Sequence, residues 1–260
     1  RILEHLEMFA YRKADRIVPV TDAFSRYMVN KGIDAKKIQV IKNGVDLDFY
    51  QLRPKNAAFQ RELGIEGKFI VSYFGTHGMA HNLETILEAA ELLSDRDDIV
   101  FLLVGDGAER DRIQRIRDEK GLHNVIMLGQ QSKEKMPDLW VVSDVSLVLL
   151  KRMDLFKTVI PSKIFESMAM KIPIILGVEG ESRVLVEAAG GGLAIEPENS
   201  RQLAESVVRL AENPALCEEL GNSGRSYTAE HFDRKVLARR YEKLISSSVK
   251  SGRKIITTES

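Results

Sequence analysis

Short apolar runs that stop at a glycine and give way to a helical stretch recur along this chain, and that alternation limits its fold more than any other feature. Phe69–Phe74 (FIVSYF) stops at Gly75-Thr76-His77-Gly78, Ile99–Val104 (IVFLLV) at Gly105-Asp106-Gly107, and residues 124–128 (NVIML) at Gly129. Runs apolar at every position read as strands buried on both faces, as in a parallel sheet. Residues 144–150, 172–176 and 192–195 continue the series, and 16–20 (RIVPV) and 37–42 (KIQVIK) precede it. Between the runs lie helical patterns. Asn82 is placed to cap a helix whose apolar face is Leu83, Ile86, Leu87, Ala90 and Leu93. Further helices are expected at 22–31, 109–120, 133–142 and 161–170, then at 200–211, 214–231 and 233–248. Strand then helix, repeated, predicts an α/β fold: a Rossmann-like open parallel sheet with helices on both faces. Ligands of such sheets bind outside the carboxyl ends of the strands, where the glycines collect.

Composition removes several function classes. The chain has 260 residues, and its 38 Lys+Arg balance 38 Asp+Glu, so no whole-molecule field draws it to nucleic acid or an anionic membrane. One cysteine, Cys217, allows no internal disulfide. No apolar run approaches the ~20 residues of a membrane helix. The chain opens on Arg1 without a leader pattern and is expected to be a piece of a longer protein.

Motif tests remove more. Gly105-Asp106-Gly107 lacks the third glycine of a dinucleotide fingerprint, because Arg110 holds that position. No Walker pattern is present. Ser162 sits in no nucleophile elbow. His77 and His81 have the spacing of two metal ligands, but the helix expected from Asn82 does not carry both, so no metal site is expected. The Asn43-Gly44 pair favours positive φ and marks a loop.

The 75–78 loop presents backbone N–H groups near a helix start, which suits an anion or simply a tight turn. The stretch Phe156 to Ala169 (FKTVIPSKIFESMA) is the most informative. Pro161-Ser162 opens a helix, Lys163 lies in its first turn and Glu166 one turn later. A cation there opposes the helix dipole unless an anion joins it. Glu166 could accept hydrogen bonds from vicinal sugar hydroxyls. On spacing alone, a surface Lys–Glu pair is the simpler reading.

At these residues the sequence resembles the retaining family 4 glycosyltransferases of the GT-B fold. Asp15 to Thr21 is similar to the family's "aD-r-v-v-v-S" strand, and Ile41-Lys42-Asn43-Gly44-Val45-Asp46 to its inter-domain "i-p-N-G-V-D" loop. Ser72 to Gly78 resembles its donor-side glycine loop, and Leu103 to Gly107 its "l-v-G-d-G". Asn124 to Gly129 resembles "N-V-x-f-l-G", and Pro161 to Ala169 the "P-s-K-x-x-E-y-m-A" variant of polysaccharide-assembly members.

The resemblance implies the C-terminal half of a GT-B fold. Residues 1–52 would end an acceptor-side domain, 53–232 would bind the donor, 233–250 would be a crossover helix, and 251–260 a frayed tail. It implies a UDP-linked sugar as donor, a glycan or lipid-linked acceptor, and a further N-terminal domain. No cofactor or metal is expected, and the location would be cytoplasmic or peripheral at the membrane's inner face. Gly75, Thr76, His77, Gly78, Gly105, Gly129, Pro161, Ser162, Lys163 and Glu166 would form the donor site. In that reading Lys163 neutralises the diphosphate, Glu166 holds the ribose, and residues after Gly129 meet the base. Two departures stand out. Thr158 occupies the place of the family's first glutamate, which touches the donor sugar. Met79-Ala80-His81-Asn82 carries no permanent cation where the family often has one, so Lys163 acts alone or shares with His81. A related nucleotide-sugar 2-epimerase and a non-catalytic nucleotide-sugar-binding module are the alternatives.

Overall fold

The computed structural model of the chain describes residues 2–256, with side chains to residue 248. Six strands form one parallel sheet: β1 Phe69–Phe74, β2 Ile99–Val104, β3 Val125–Leu128, β4 Val145–Leu149, β5 Ile174–Gly177 and β6 Gly192–Ala194. Their spatial order is β3-β2-β1-β4-β5-β6. All six residues of β1 pair with β2, from Phe69↔Ile99 to Phe74↔Val104, and its other edge meets β4 at Val71↔Val145. The direction of winding reverses between β1 and β4, so a crevice opens at their carboxyl ends.

Period-two alternation assigns each strand residue to a face. Ile70 and Phe74 of β1, Val100, Leu102 and Val104 of β2, and Val148 of β4 join one apolar cluster. Helices α6 (Met136–Val142), α7 (Lys163–Ala169) and α8 (Glu181–Ala189) cover it through Trp140, Phe165, Met168 and Leu185. Val71, Tyr73, Phe101, Leu103 and Leu147 point to the other face. There α4 (Glu84–Leu92), α5 (Arg110–Glu119) and α9 (Ser200–Ala211) bury Ile86, Ile113 and Leu203. Two polar side chains in the sheet are satisfied internally. Ser72 Oγ donates to Val145 O at 3.0 Å, and Ser167 Oγ contacts Ser146 Oγ at 2.8 Å. The remaining helices are α1 Ile2–Lys13, α2 Asp22–Asn30, α3 Ala57–Glu62, α10 Pro214–His231 and α11 Arg234–Ile256.

Several elements differ from the sequence expectation. The runs at 16–20 and 37–42 are not full strands. They meet in a single parallel bridge, Ile17↔Ile38, because Pro19 has no N–H to extend the ladder. Asn43 and Gly44 do not adopt positive φ. Glycine is required at 44 for another reason: a Cβ there would lie 2.1 Å from Phe232 O. Asn82 does not cap α4. It is left-handed, with φ of 43°, and its Nδ2 donates to Thr85 Oγ1 and Glu198 Oε1, each at 3.1 Å. α1, α3 and α8 lie in stretches where the sequence predicts no element. α11 continues past 248 to Ile256, and the rest of the expected frayed tail, 257–260, lies outside the described residues. On α11, Leu237 and Leu244 are buried while Tyr241 and Ile245 are exposed.

Candidate functional site

The crevice beside β1 and β4 is a cleft of about 760 Å³. Its floor is Phe74, Gly75 and Thr76 after β1, with Val104, Gly105 and Asp106 after β2. Gln130, Gln131, Lys133 and Met136 close one side. Pro161, Ser162, Lys163 and Glu166 at the start of α7 close another, and Tyr50 and His81 complete the lining.

Lys163 dominates the electrostatics. It is the first residue of α7, yet its ammonium is buried, without a hydrogen-bond partner, 3.9 Å from the centroid of the Tyr73 ring. Burial pulls its pKa down to about 7, and the nearby Glu166 carboxylate opposes that shift. It is not the solvated surface pair that spacing alone favoured. Gly75 makes room for it: a Cβ there would lie 2.8 Å from Nζ, and φ is +146°. The Glu166 carboxyl is pushed up by burial, while the Tyr50 hydroxyl, the Lys163 charge, the Trp140 indole and Arg234 pull it down. Even so, Trp140 Nε1 meets no acceptor in ordinary hydrogen-bond geometry.

The two glycine loops lock together. Gly75 N donates to Val104 O at 3.0 Å and His77 N to Asp106 O at 2.8 Å. A Cβ on Gly105 would sit 1.9 Å from Gly75 O, and one on Gly107 2.6 Å from His77 O. The amides of Gly75 and His77 are therefore consumed, whereas those of Thr76 and Gly78 have no partner among the described residues.

The ten expected site residues divide accordingly. Gly75, Thr76, Gly105, Pro161, Ser162, Lys163 and Glu166 line the cleft; His77, Gly78 and Gly129 do not. His77 is fully buried beneath the loop, both ring nitrogens unpartnered. Its pKa falls to about 4 through burial and the neighbouring Arg110. Gly129 has ordinary φ and open space around it, and its carbonyl accepts from Gln131 Nε2 at 3.2 Å. Thr158 also lies off the cleft, its hydroxyl donating to Leu155 O at 2.7 Å. Sequence reading missed Tyr50, which the 43–50 loop delivers. No group of three or more His, Cys, Asp or Glu among the described residues is arranged to hold a metal ion.

A model of the glycosyl transferases group 1 family matches residues 55–227, more than half of the chain. The chain belongs to that family. A second model, glycosyltransferase family 4, matches residues 1–49. The putative colanic acid biosynthesis glycosyl transferase WcaI of Escherichia coli K12 is 24% identical over 90% of this chain and 58% of its own length. The probable glycosyltransferase WbjE of Pseudomonas aeruginosa is 26% identical over 82% of this chain and 53% of its own. The chain thus spans a little over half the length of these relatives. Anabaena Alr3699/HepE, solved in complex with UDP and glucose, superposes with a TM-score of 0.79. It is 21% identical, covering 92% of this chain and 64% of that one, a likeness that speaks for the fold.

Proposed function

We propose that this chain holds the nucleotide half of a sugar donor, and that the protein to which it belongs transfers the sugar to a glycan or lipid-linked acceptor. The observation that carries the reading is the buried Lys163 ammonium in the wall of the cleft, which has no hydrogen-bond partner. A desolvated cation without a partner is costly, and an anionic ligand is its natural complement. The free amides of Thr76 and Gly78 lie in the loop packed over it. A departing nucleoside diphosphate develops charge where fixed donors and a cation already wait. Glu166, raised by burial and held by Tyr50, is set to accept from ribose hydroxyls. Gln130 and Gln131 follow β3 at the edge of the cleft and are assigned to the base.

The family membership supports a transferase, and HepE's complex with UDP suggests UDP as the first nucleotide to try. A retaining outcome, work in polysaccharide assembly and a place on the cytoplasmic side of the membrane belong to the same proposal. No helix among the described residues is long and apolar enough to cross a membrane. The curated relatives lend the 2-epimerase alternative no support. Diphosphate neutralisation is assigned to Lys163, so chelation with EDTA should leave binding unchanged.

The test is a thermal-shift series with UDP, GDP and ADP. A ligand at 100 times its Kd should stabilise the fold by about 2.7 kcal/mol. If millimolar concentrations of all three leave the melting temperature unmoved, the donor site is misassigned.

A further inference from the structure

Glu181 opens α8 and is 9% exposed, and the donor cleft makes no use of it. Its carboxylate reaches the far end of the sequence. It accepts from the backbone N–H of Asp22 at 3.0 Å, from that of Ala23, and from Arg26 Nη2 at 3.3 Å. Lys42 Nζ lies 3.9 Å from it while gripping Asp22 Oδ2 at 2.7 Å. The first N–H groups of a helix have no acceptor within it. Thr21, the N-cap of α2, serves Phe24 N at 3.2 Å, which leaves the amides of Asp22 and Ala23 to an outside carboxylate. The α2 dipole favours negative charge there.

Besides Glu181, α2 meets the short turn Asp154–Thr158. Ile17, Met28 and Ile33 form a small apolar cluster apart from the two that sandwich the strands. Phe24, Tyr27 and Val29 of α2 are exposed. The contact is therefore chiefly polar, the character of an interface that can separate. On its other side, the same turn of α8 carries Ser182, fully buried, whose Oγ donates to Val159 O at 2.8 Å. Val159 lies in the loop that leads into Pro161, Ser162 and Lys163. One turn of α8 thus grips both α2 and the approach to the donor helix.

We propose that Glu181 is an electrostatic latch: it docks α2 against the donor-binding body, and it opens without unfolding either part. Opening exposes the Asp22 and Ala23 amides, and the remaining contacts there are too few and too polar to protect them. The prediction concerns backbone protection, so it stands whether or not the cleft binds a nucleotide.

Hydrogen exchange by mass spectrometry on the full chain tests it, at roughly 50 mM and roughly 500 mM NaCl, since salt weakens exposed charge pairs. In the wild type, the Asp22 and Ala23 amides, read from overlapping peptides that start upstream of residue 21, should exchange about threefold faster at the higher salt, as charges at the rim are screened. Glu181→Gln should raise their exchange at low salt about tenfold and abolish the salt effect, because the charge-assisted bonds are gone. Peptides from β1 and β4 should stay within about twofold, reporting the intact core. Unchanged exchange at Asp22 and Ala23 in Glu181→Gln would overturn the latch. So would equal acceleration in β1 and β4, which would make Glu181 an ordinary part of the fold. If Glu181→Gln does not fold, the double variant Arg26→Gln/Lys42→Gln serves instead. It must lose the salt dependence at Asp22 and Ala23 while keeping the strands protected; retention of that dependence would sink the proposal.

Discussion

In the proposed site the chemistry turns on Lys163, and its burial sets how it should respond to pH. With a folded-state pKa of about 7, well below the ordinary lysine value, it is largely neutral in the free protein above neutrality. The unfolded chain binds that proton more readily between pH 7 and the ordinary value. Folding stability should therefore rise with pH across this window, with the penalty fully present below pH 7. Lys163→Ala should remove the rise and leave stability near neutrality unchanged or higher, as denaturant melts at several pH values would show. Binding has the opposite slope. A diphosphate wants the ammonium, so above pH 7 the protein must take up a proton to bind, and UDP affinity should fall by up to about tenfold per pH unit. Titration calorimetry in buffers of different ionisation enthalpy reads both the slope and the proton. Lys163→Arg should abolish that slope, because a guanidinium stays charged. Lys163→Ala should cost roughly 1.5–3 kcal/mol of UDP binding, the worth of a hydrogen bond to a charged group. Glu166→Ala should weaken UDP while sparing pyrophosphate; equal loss of both would remove the ribose role.

At the scale of elements, the β1 and β2 loops act as one unit. Gly105→Ala places a Cβ on the Gly75 carbonyl at a φ of +149° and should cost roughly 2–4 kcal/mol in melts. Gly129→Ala meets open space and should stay within roughly 0.5 kcal/mol. If the two substitutions cost the same, the loops are not packed as described. His77 lies between these loops, and burial keeps its imidazole neutral, with a pKa of about 4. The unfolded chain takes that proton between the ordinary histidine value and pH 4, so this group's stabilisation is lost as pH falls through that window. His77→Phe should show a shallower acid decline than the wild type in urea melts. The six parallel strands were legible because both-face burial writes itself as unbroken apolar runs, FIVSYF and IVFLLV above all. α8 was left unassigned, because its residues sit between Gly180 and the Gly190–Gly192 run with no cap or glycine-ended strand to announce a helix. Its buried face, Leu185, Val186 and Ala189, declares itself only against the sheet. The Lys163–Glu166 spacing by itself favoured a surface pair, and only the motif resemblance around it pointed to a donor site. The burial of Lys163 was not legible, because it depends on Tyr73 and Gly75, which tertiary packing alone brings close. Tyr50 left no signal, since nothing local in the 43–50 loop marks a tyrosine bound for a carboxylate on α7.

For the molecule as a whole, we expect the chain to bind donor but not to transfer sugar at a useful rate. Holding both reactants in attack geometry can supply ~7–11 kcal/mol of a barrier, and this chain covers little more than half of each curated relative described above. Product formation from a labelled donor and a lipid-linked acceptor, by this chain and by a parent with the relatives' full length, decides the matter. Fast transfer by this chain alone would mean that the acceptor site is already here. The way the chain ties its ends has a consequence for its birth on the ribosome. Val45 N donates to Phe232 O at 2.9 Å, Arg234 N donates back to Val45 O at 3.0 Å, and Arg225 Nη1 reaches Tyr50 O at 3.4 Å. The loop that delivers Tyr50 to the cleft is thus anchored by residues made long after it. At about 5–20 residues per second, the roughly 190 residues between Val45 and its partners take on the order of 10–40 s to appear. The sheet can assemble from β1 onward during that interval, while the 43–50 loop waits. A nascent chain stalled before Phe232 would then carry a formed sheet and an unfinished site, so the ability to bind donor would arrive late and all at once.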